Sequence, residues 1–587
     1  IYILASSKNR KRMKRITLIY AWLFCLTLSV AAQEKVVKLK IVQTSDVHGN
    51  YYPYNFITRQ EWKGSLARIY SFVEKERREY KDNLILLDNG DILQGQPTAY
   101  YYNYIDTVSP HLCAEMMNYM KYDAGNMGNH DVETGRAVFD RWIETCDFPV
   151  LGANIIDTST GKPHLPPYKV LERDGVKIVV LGMITPAIPA WLSENLWRGL
   201  RFDDMEETAR KWMKIIRAKE NPDVVIGLFH AGQDAFKMSG KYNENASLNV
   251  AKNIPGFDVV LMGHDHAREC KKVMNVAGDS VLVIDPASNG VVLSNVDITL
   301  KLKDGKVLSK DIQGVLTETK DYGVSEDFMK RFAPQYEAVR KFVSKKIGTF
   351  TGDISTHPSF FGPSAFIDLI HTLQLDITGA DISFAAPLSF DAEIKKGDVF
   401  VSDMFNLYKY ENMLYVMTLS GKEIKDFLEM SYFMWTNRMK SPDDHLLWFK
   451  EKRRDGAEDR ASFQNFSFNF DSASGIIYTV DVTKPKGEKI TIVSMADGSP
   501  FDINKIYKVV NNMKKAVFVF GTLTYTQRGR EALRRRGILT KIIRTPVQYR
   551  NGSCGYSLLV INRVDESVEI LRAMNIPVQG VYPADLE

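Results

Sequence analysis

The chain has 587 residues, of which 45% are apolar and 25% charged, with five cysteines and ten histidines. That length exceeds what one hydrophobic core serves and predicts about two to four domains, while the composition excludes a disordered, collagen-like or disulfide-framework protein. The net charge of +5 is unevenly held: residues 1–15 carry six Lys/Arg and no acid, residues 513–587 carry +6, and the body 16–512 carries −7, which argues against a surface that tracks nucleic acid.

In chain order, the basic run Arg10–Arg15 precedes the apolar stretch Ile16–Val30, and Ala31-Ala32-Gln33 follows with small residues and a polar exit. This is the order of a secretory signal, and the apolar span is short for a membrane anchor. We read residues 13–32 as a signal peptide that starts at Met13, and residues 1–12 as spurious upstream sequence. The mature protein is then secreted or periplasmic, with no stable membrane span.

Val36–Val42 alternates and reads as a strand. Leu66–Tyr80 is amphipathic, and Glu206–Lys219 is a second helix stopped by Asn221-Pro222. Strands are expected at Val176–Gly182, Val224–Phe229, Val259–Met262, Val281–Ile284 and Val291–Leu300, which together predict a layered α/β domain over 36–323. Glu326–Lys346 has helical spacing at Phe328, Phe332, Tyr336, Val339 and Val343, and is read as a linker helix over 324–346. Residues 347–512 form a second α/β unit, with helices Ser364–Leu375 and Lys422–Tyr432 and strands at Asp381–Ala385, near Ile476–Val482 and at Tyr507–Val510. The charged insert Met439–Arg460 reads as a surface excursion. At 513 charge and composition shift. Met513–Phe520 looks like a new start entering a strand, Arg528–Gly537 like a basic helix, and Asn551–Gly555 like a glycine-rich loop.

Five of the ten histidines stand where apolar runs break into Gly-containing loops. Val36–Val42 leads into Asp46-Val47-His48-Gly49-Asn50. Leu84–Leu87 leads into Asp88-Asn89-Gly90-Asp91, and Tyr122-Asp123-Ala124 into Gly128-Asn129-His130-Asp131. Val224–Phe229 ends in His230-Ala231-Gly232, and Val259–Met262 in Gly263-His264-Asp265-His266. Loops at strand ends are where such sheets place ligands. Asp, His and Asn from separate strand ends suit two divalent cations held through N and O without sulfur. Such a pair activates a water near neutral pH and stabilises the entering and leaving oxygens of an in-line displacement. No Gly-x-Ser-x-Gly elbow accompanies these histidines, which disfavours acyl transfer.

Asp46-x-His48, Gly90-Asp91, Gly128-Asn129-His130-Asp131, His230-x-Gly232 and Gly263-His264-Asp265-His266 together resemble the five-block signature of calcineurin-like metallophosphoesterases. Residues 36–512 as a whole resemble the secreted 5′-nucleotidase / 2′,3′-cyclic-nucleotide phosphodiesterase family. The resemblance implies an α/β (α+β) fold, with a four-layer αββα metallophosphoesterase sandwich joined through a helix to a C-terminal substrate domain. It implies two divalent cations, drawn from Zn, Mn, Co, Mg or Ca. One would take Asp46, His48, Asp91 and His266; the other would take Asp91, Asn129, His230 and His264, with Asp91 bridging. His130 would act on the phosphoryl group or the leaving oxygen. The family commonly orients that His with an Asp three residues later; here Glu133 holds the position, and Asp131 is adjacent.

Tyr408–Asn412, Leu419–Glu423 and Asn469–Tyr478 resemble blocks of the family's substrate domain. Many 5′-nucleotidases carry an Asn-Gly-Gly-x-Arg loop after the Gly-Ala-Asp here numbered 379–381. Phe384–Ser389 stands in its place without an Arg, which leans toward the cyclic phosphodiesterase / 3′-nucleotidase side. Phe470 is the candidate aromatic face for a nucleotide base, with Asn129 and His130 facing the phosphate. A Gly-rich block should follow Val510-Asn511-Asn512 and does not, so the substrate domain is read as truncated. Residues 513–587 instead resemble a small family of sulfur or selenium carrier proteins through Ser553-Cys554-Gly555, and the join is read as an accidental fusion. The expected function is hydrolysis of nucleotide phosphoesters. The alternatives are a catalytically impaired nucleotide-binding protein and a phosphoesterase for non-nucleotide esters.

Overall fold

The computed structural model describes residues 34–560 apart from 193, 234–242, 388, 391, 408–413, 451–462, 466, 468–469, 512–515, 521, 535–539 and 546–555, together with 580–583 and a few positions between. The proposed signal segment 13–32, the loop 408–412 and Cys554 lie outside the described residues.

Two six-stranded sheets form the first unit. The first contains β1 (Glu34–Thr44), β2 (Leu84–Asp88), β3 (Ala124–Asn126) and β4 (Val150–Leu151). The second contains β5 (Tyr168–Arg173), β6 (Val176–Ile184), β7 (Val224–His230), β8 (Val259–Leu261), β9 (Arg268–Met274) and β10 (Ser280–Pro286). The chain then returns to the first sheet as the long hairpin β11 (Val292–Lys303) and β12 (Lys306–Glu318). Strand order is β12-β11-β1-β2-β3-β4 in one sheet and β9-β10-β8-β7-β6-β5 in the other. Within them β1 to β4 run parallel, as do β6, β7, β8 and β10. A parallel strand covered on both faces needs a continuous apolar run, and every residue of β7, Val-Val-Ile-Gly-Leu-Phe-His, is buried.

Three layers of apolar side chains separate four layers of backbone. Val37, Leu39, Ile41, Ile85, Ile178, Ile226, Val259 and Ile298 fill the space between the sheets. Leu66, Ile69, Phe72 and Val73 of helix α1 (Leu66–Tyr80) and Met116, Met117 and Met120 of α2 (Leu112–Met120) cover the outer face of the first sheet. Met205, Ala209, Met213 and Ile216 of α4 (Met205–Lys219), with Val250 and Ala251 of α5 (Ser247–Asn253), cover the second. A short helix, α3 (Asn129–Glu133), opens directly from the loop after β3. The architecture is the expected αββα sandwich. Its helices begin where the chain supplies caps: the Ser65 hydroxyl accepts from the Arg68 N–H, and the Asp204 carboxylate accepts from the Glu207 N–H.

The single helix expected over Glu326–Lys346 is two, α6 (Glu326–Arg331) and α7 (Ala333–Val343). Pro334 has no N–H for a continuous helix and sits instead in the first turn of α7. Phe328, Phe332, Val339 and Val343 are buried against the first unit, and Lys346 already begins a strand.

The second unit has a four-stranded sheet in the order β14-β17-β13-β15, where β13 is Ile382–Ala385, β14 Tyr415–Ser420, β15 Ser472–Ser474 and β17 Ile506–Asn511. Helices α8 (Ala365–Thr378) and α9 (Gly421–Trp435) pack against it. The strand expected near Ile476–Val482 is β16 (Ile476–Val480), which pairs with Ile490–Met495 in a separate ribbon. The insert after Met439 is not wholly a surface excursion. Leu447 is buried with Met434, Trp435, Phe463 and Phe470, and Phe449 stacks on Phe463, because its apolar residues complete an aromatic cluster. Beyond it, Ala516–Val519, Thr540–Arg544, Tyr556–Val560 and Gly580–Pro583 form another four-stranded sheet. The helix expected from Arg528 starts five residues earlier, at Leu523.

Candidate metal centre

The C-terminal ends of β1, β2, β3, β7 and β8 open on one edge of the sandwich, and their loops are stitched together by the main chain. Asp46 N–H donates to Gly90 O at 2.9 Å, His48 N–H to Asp91 O at 3.0 Å, and Asn289 N–H to Asp46 O at 2.7 Å. His264 N–H points at the Asp46 carboxylate, 3.2 Å from Oδ2. Asp46, His48, Asp91, His264 and His266 all have left-handed backbone, with φ of 51°, 49°, 56°, 78° and 54°. Non-glycine residues seldom adopt that region, and clusters of them mark sites where surrounding structure holds the chain against its preference. Glycines permit the close approach: a Cβ at Gly128 would collide with the Asp91 carboxylate, and one at Gly263 with Ser45 and Asp46.

The side chains form two adjoining groups. In the first, His266 Nε2 lies 3.3 Å from Asp46 Oδ1 and 3.0 Å from His48 Nε2. In the second, His230 Nε2 lies 3.2 Å from Asp91 Oδ2 and 3.0 Å from Asn129 Oδ1, and His264 Nδ1 lies 2.8 Å from the same Asn129 oxygen. Ligand atoms of Asp46, His48 and His266 lie within 4.8 Å of one another, as do those of Asp91, His230 and His264. All seven expected metal ligands are therefore together.

Hydrogen bonding orients these rings. His48 gives its Nδ1–H to Gln94 O at 3.2 Å, and His230 gives its own to Asn89 O at 2.7 Å. In the neutral tautomer each then aims an unprotonated Nε2 at other nitrogen or oxygen atoms. Lone pairs facing lone pairs repel unless a proton or a cation stands between them. Burial opposes charge on His230, yet the carboxylates of Asp91 and Asp46 push its pKa up to about 10. Burial works against an ionised Asp91 too, but His230, His130 and His48 hold its carboxyl well below the usual range. Burial, only partly offset by Asp91, brings His48 down to about 4. A set of buried N and O donors converging on shared points, with anionic charge favoured at the middle, fits divalent cations.

His130 is not among these donors. Its side chain is 32% exposed, and its Nδ1 lies 2.6 Å from Glu133 Oε2 one turn along α3. Its ring stands 5.5 Å from that of His48. Asp131, expected beside His130 in the chemistry, turns the other way. It is fully buried, and its two oxygens accept the N–H groups of Asp91, Ile92, Leu93 and Gly128 at 2.8 to 3.0 Å. Its place is to pin the Asp91 loop, since as the third residue of α3 it faces the helix N-terminus. Phe470 is likewise not open to a base. It has no exposed surface and stacks parallel on Trp435 at 5.6 Å, with Phe463 edge-on.

Two residues at the site, Asn126 and Glu244, lie outside the strand-end blocks read from the sequence, and Asn89, inside one, has no role assigned there. The Asn126 amide donates to Met183 O, Leu228 O and Asn89 Oδ1 at 2.8 to 3.1 Å, and Asn89 donates to Phe229 O at 2.9 Å, so the two sheets are tied beneath the loops. Glu244, far from every strand end in sequence, lies 3.0 Å from His264 Nε2.

Comparison with known proteins agrees with this geometry. The calcineurin-like phosphoesterase profile matches residues 39–268, the 5′-nucleotidase C-terminal domain matches 346–513, and a Se/S carrier protein-like profile matches 515–583. The 2′,3′-cyclic-nucleotide 2′-phosphodiesterase/3′-nucleotidase of Yersinia enterocolitica is 27% identical over 86% of this chain and 82% of its own. The trifunctional nucleotide phosphoesterase YfkN of Bacillus subtilis is 28% identical over 82% of this chain, which spans only 36% of that longer protein. The 5′-nucleotidase of Vibrio cholerae is 23% identical over 68% of this chain and 76% of its own. Among solved structures, a Staphylococcus aureus protein assigned as a 5′-nucleotidase shares the fold with a TM-score of 0.64 and 22% identity, over 81% of this chain and 89% of that one. The strand-end donor set and the αββα sandwich thus lie in a calcineurin-like phosphoesterase domain, matched over residues 39–268, and the unit that follows is a 5′-nucleotidase C-terminal domain, matched over 346–513.

Proposed function

We propose that the chain hydrolyses nucleotide phosphoesters with two divalent cations, and that 2′,3′-cyclic and 3′-phosphates are preferred to 5′-phosphates. The observation that carries the reading is the convergence of seven N and O side-chain donors from five strand-end loops. Asp46, His48, Asp91 and His266 would hold one cation, and Asp91, Asn129, His230 and His264 the other. When bound, such a pair supplies an activated water and charge stabilisation for an in-line displacement at phosphorus. His130 faces the same edge. With Glu133 accepting from Nδ1, a protonated His130 donates from Nε2 to a phosphoryl oxygen or to the departing sugar oxygen, and Glu133 stabilises the imidazolium. The absence of an Arg from Phe384–Ser389 supports the cyclic and 3′ preference, as do relatives of that activity at 26–27% identity. We also infer export through residues 13–32. Among the described residues no helix is long and apolar enough to cross a membrane.

The test is hydrolysis by metal-stripped protein resupplied with Mn²⁺, first on an aryl phosphate, then on 2′,3′-cyclic AMP, 3′-AMP and 5′-AMP. We expect Mn²⁺-dependent turnover in the order cyclic or 3′ above 5′, abolished by Asp91→Ala. Nucleotide binding without turnover would favour an impaired binder. Turnover of the aryl ester alone would favour non-nucleotide substrates.

A further inference from the structure

We propose that Glu244 is the positioning residue for His264, fixing which of its ring nitrogens faces the metal centre. The assignment rests on the two-cation reading above. His264 has oxygen on both ring edges: Asn129 Oδ1 2.8 Å from Nδ1 on the inner side, and Glu244 Oε1 3.0 Å from Nε2 on the outer side. A carboxylate can only accept, so the proton of a neutral ring belongs on Nε2, and Nδ1 is left as a lone pair aimed at the point shared with Asn129, His230 and Asp91. His48 and His230 show the opposite arrangement. Their Nδ1–H groups go to the main-chain carbonyls of Gln94 and Asn89, which leaves Nε2 for the site. His264 thus differs from these two in the nitrogen it offers and in having a carboxylate, instead of a main-chain carbonyl, on the nitrogen turned away from the site.

Glu244 is held in place by its neighbours. The Asn245 side-chain oxygen accepts the Gly232 N–H at 3.1 Å, and the Ser247 hydroxyl donates to Ala231 O at 2.6 Å. Both anchors fasten the segment to the end of β7, the strand that ends in His230. On the other flank, Asp265 accepts the Gln233 N–H at 2.9 Å. Residues 231–233 and 243–247, on either side of the part of this loop outside the described residues, are therefore tied to each other and to the loop after β8, with Glu244 and His264 facing across the join. The Glu244 side chain is 24% exposed and that of His264 11%, so the pair is sheltered without being sealed. A carboxylate behind a ligating imidazole orients the ring and raises its basicity, and removing one commonly costs about 10–100-fold in metal affinity.

The experiment measures Mn²⁺ and Zn²⁺ binding to metal-stripped protein by calorimetry, for the wild type, Glu244→Ala, Glu244→Gln and Asp91→Ala. Wild type is expected to bind two ions. Glu244→Ala should weaken one of the two by about 10–100-fold and leave the other unchanged, while the thermal midpoint of the stripped protein stays put. Glu244→Gln keeps an acceptor oxygen and should recover most of the loss. Asp91→Ala should weaken both sites. Two unchanged affinities in Glu244→Ala would overturn the role of Glu244 and leave the metal centre standing. A wild type that binds no ion would overturn the centre, and this assignment with it.

Discussion

His130 and Glu133 separate binding from chemistry at the scale of single residues. Neither is among the donors that converge on the centre, yet Nδ1 and the carboxylate are 2.6 Å apart and the ring stands beside His48. His130→Asn should lower kcat by about 10²–10⁴-fold while metal content, measured by atomic absorption, stays at the wild-type value. Glu133→Gln keeps the contact but removes the charge that favours the imidazolium, so its loss should be smaller and should grow as pH rises. Equal loss of metal in His130→Asn would show that the ring belongs to the ligand set. The same letters also show where residue-level reading stops. A ligand motif is legible because its residue types and order are chemical requirements. The direction in which Asp131 turns, or whether Phe470 lies open, depends on neighbours that come from elsewhere in the chain.

At the level of elements, the loops after β2 and β3 behave as one piece because Asp131 joins them. Four main-chain N–H groups end on its carboxylate, and it is fully buried. Burial, and after it the charge of Asp91, raise its pKa to about 6 in spite of those donors. Asp131→Ala strands those groups without partners. The expected cost is about 3–5 kcal/mol of stability, seen as a drop in the urea midpoint, with activity lost because Asp91 loses its support. Strand and helix positions in the first unit were readable from apolar runs and caps, since parallel strands in a sandwich must be apolar throughout. The break between α6 and α7 was signalled by Pro334, whose missing N–H outweighs a helical pattern that continues across it. The burial of Leu447 and the stacking of Phe449 had no local signal, because those side chains pack on residues from α9 and from around Phe463.

For the whole molecule, two histidines outside the set of metal-centre donors tie stability to pH. Burial brings His371, between α8 and the second unit's sheet, down to about 4, and burial reinforced by Arg141 brings His111 down to about 3. An unfolded histidine takes up its proton near 6.5. On acidification the unfolded chain therefore gains protons first, so the contribution of each histidine is whole above about pH 6.5 and is lost as pH falls toward its folded value. Asp88, pushed up to about 8 by burial, acts in the opposite sense: its contribution is whole at low pH and is lost as pH rises. The clean comparison is with a variant. Between pH 6.5 and 4 the stability of the wild type should fall by about 3 kcal/mol more than that of His371→Gln, followed by urea unfolding with tryptophan fluorescence. Parallel curves would mean that His371 is charged in the folded protein.

The amide of Asn126 bears on all three scales. Asp46, His48, Asp91 and Asn129 hang from one sheet, and His230, His264 and His266 from the other, so the gap between the two donor groups is set by how the sheets are staggered. Asn126 rivets that stagger from below with hydrogen bonds to Met183, Leu228 and Asn89. Catalytic spacing in this protein is thus a property of the sandwich filling, and a swap of one inter-sheet aliphatic residue for a bulkier one could retune the reaction without altering any group that meets the phosphate.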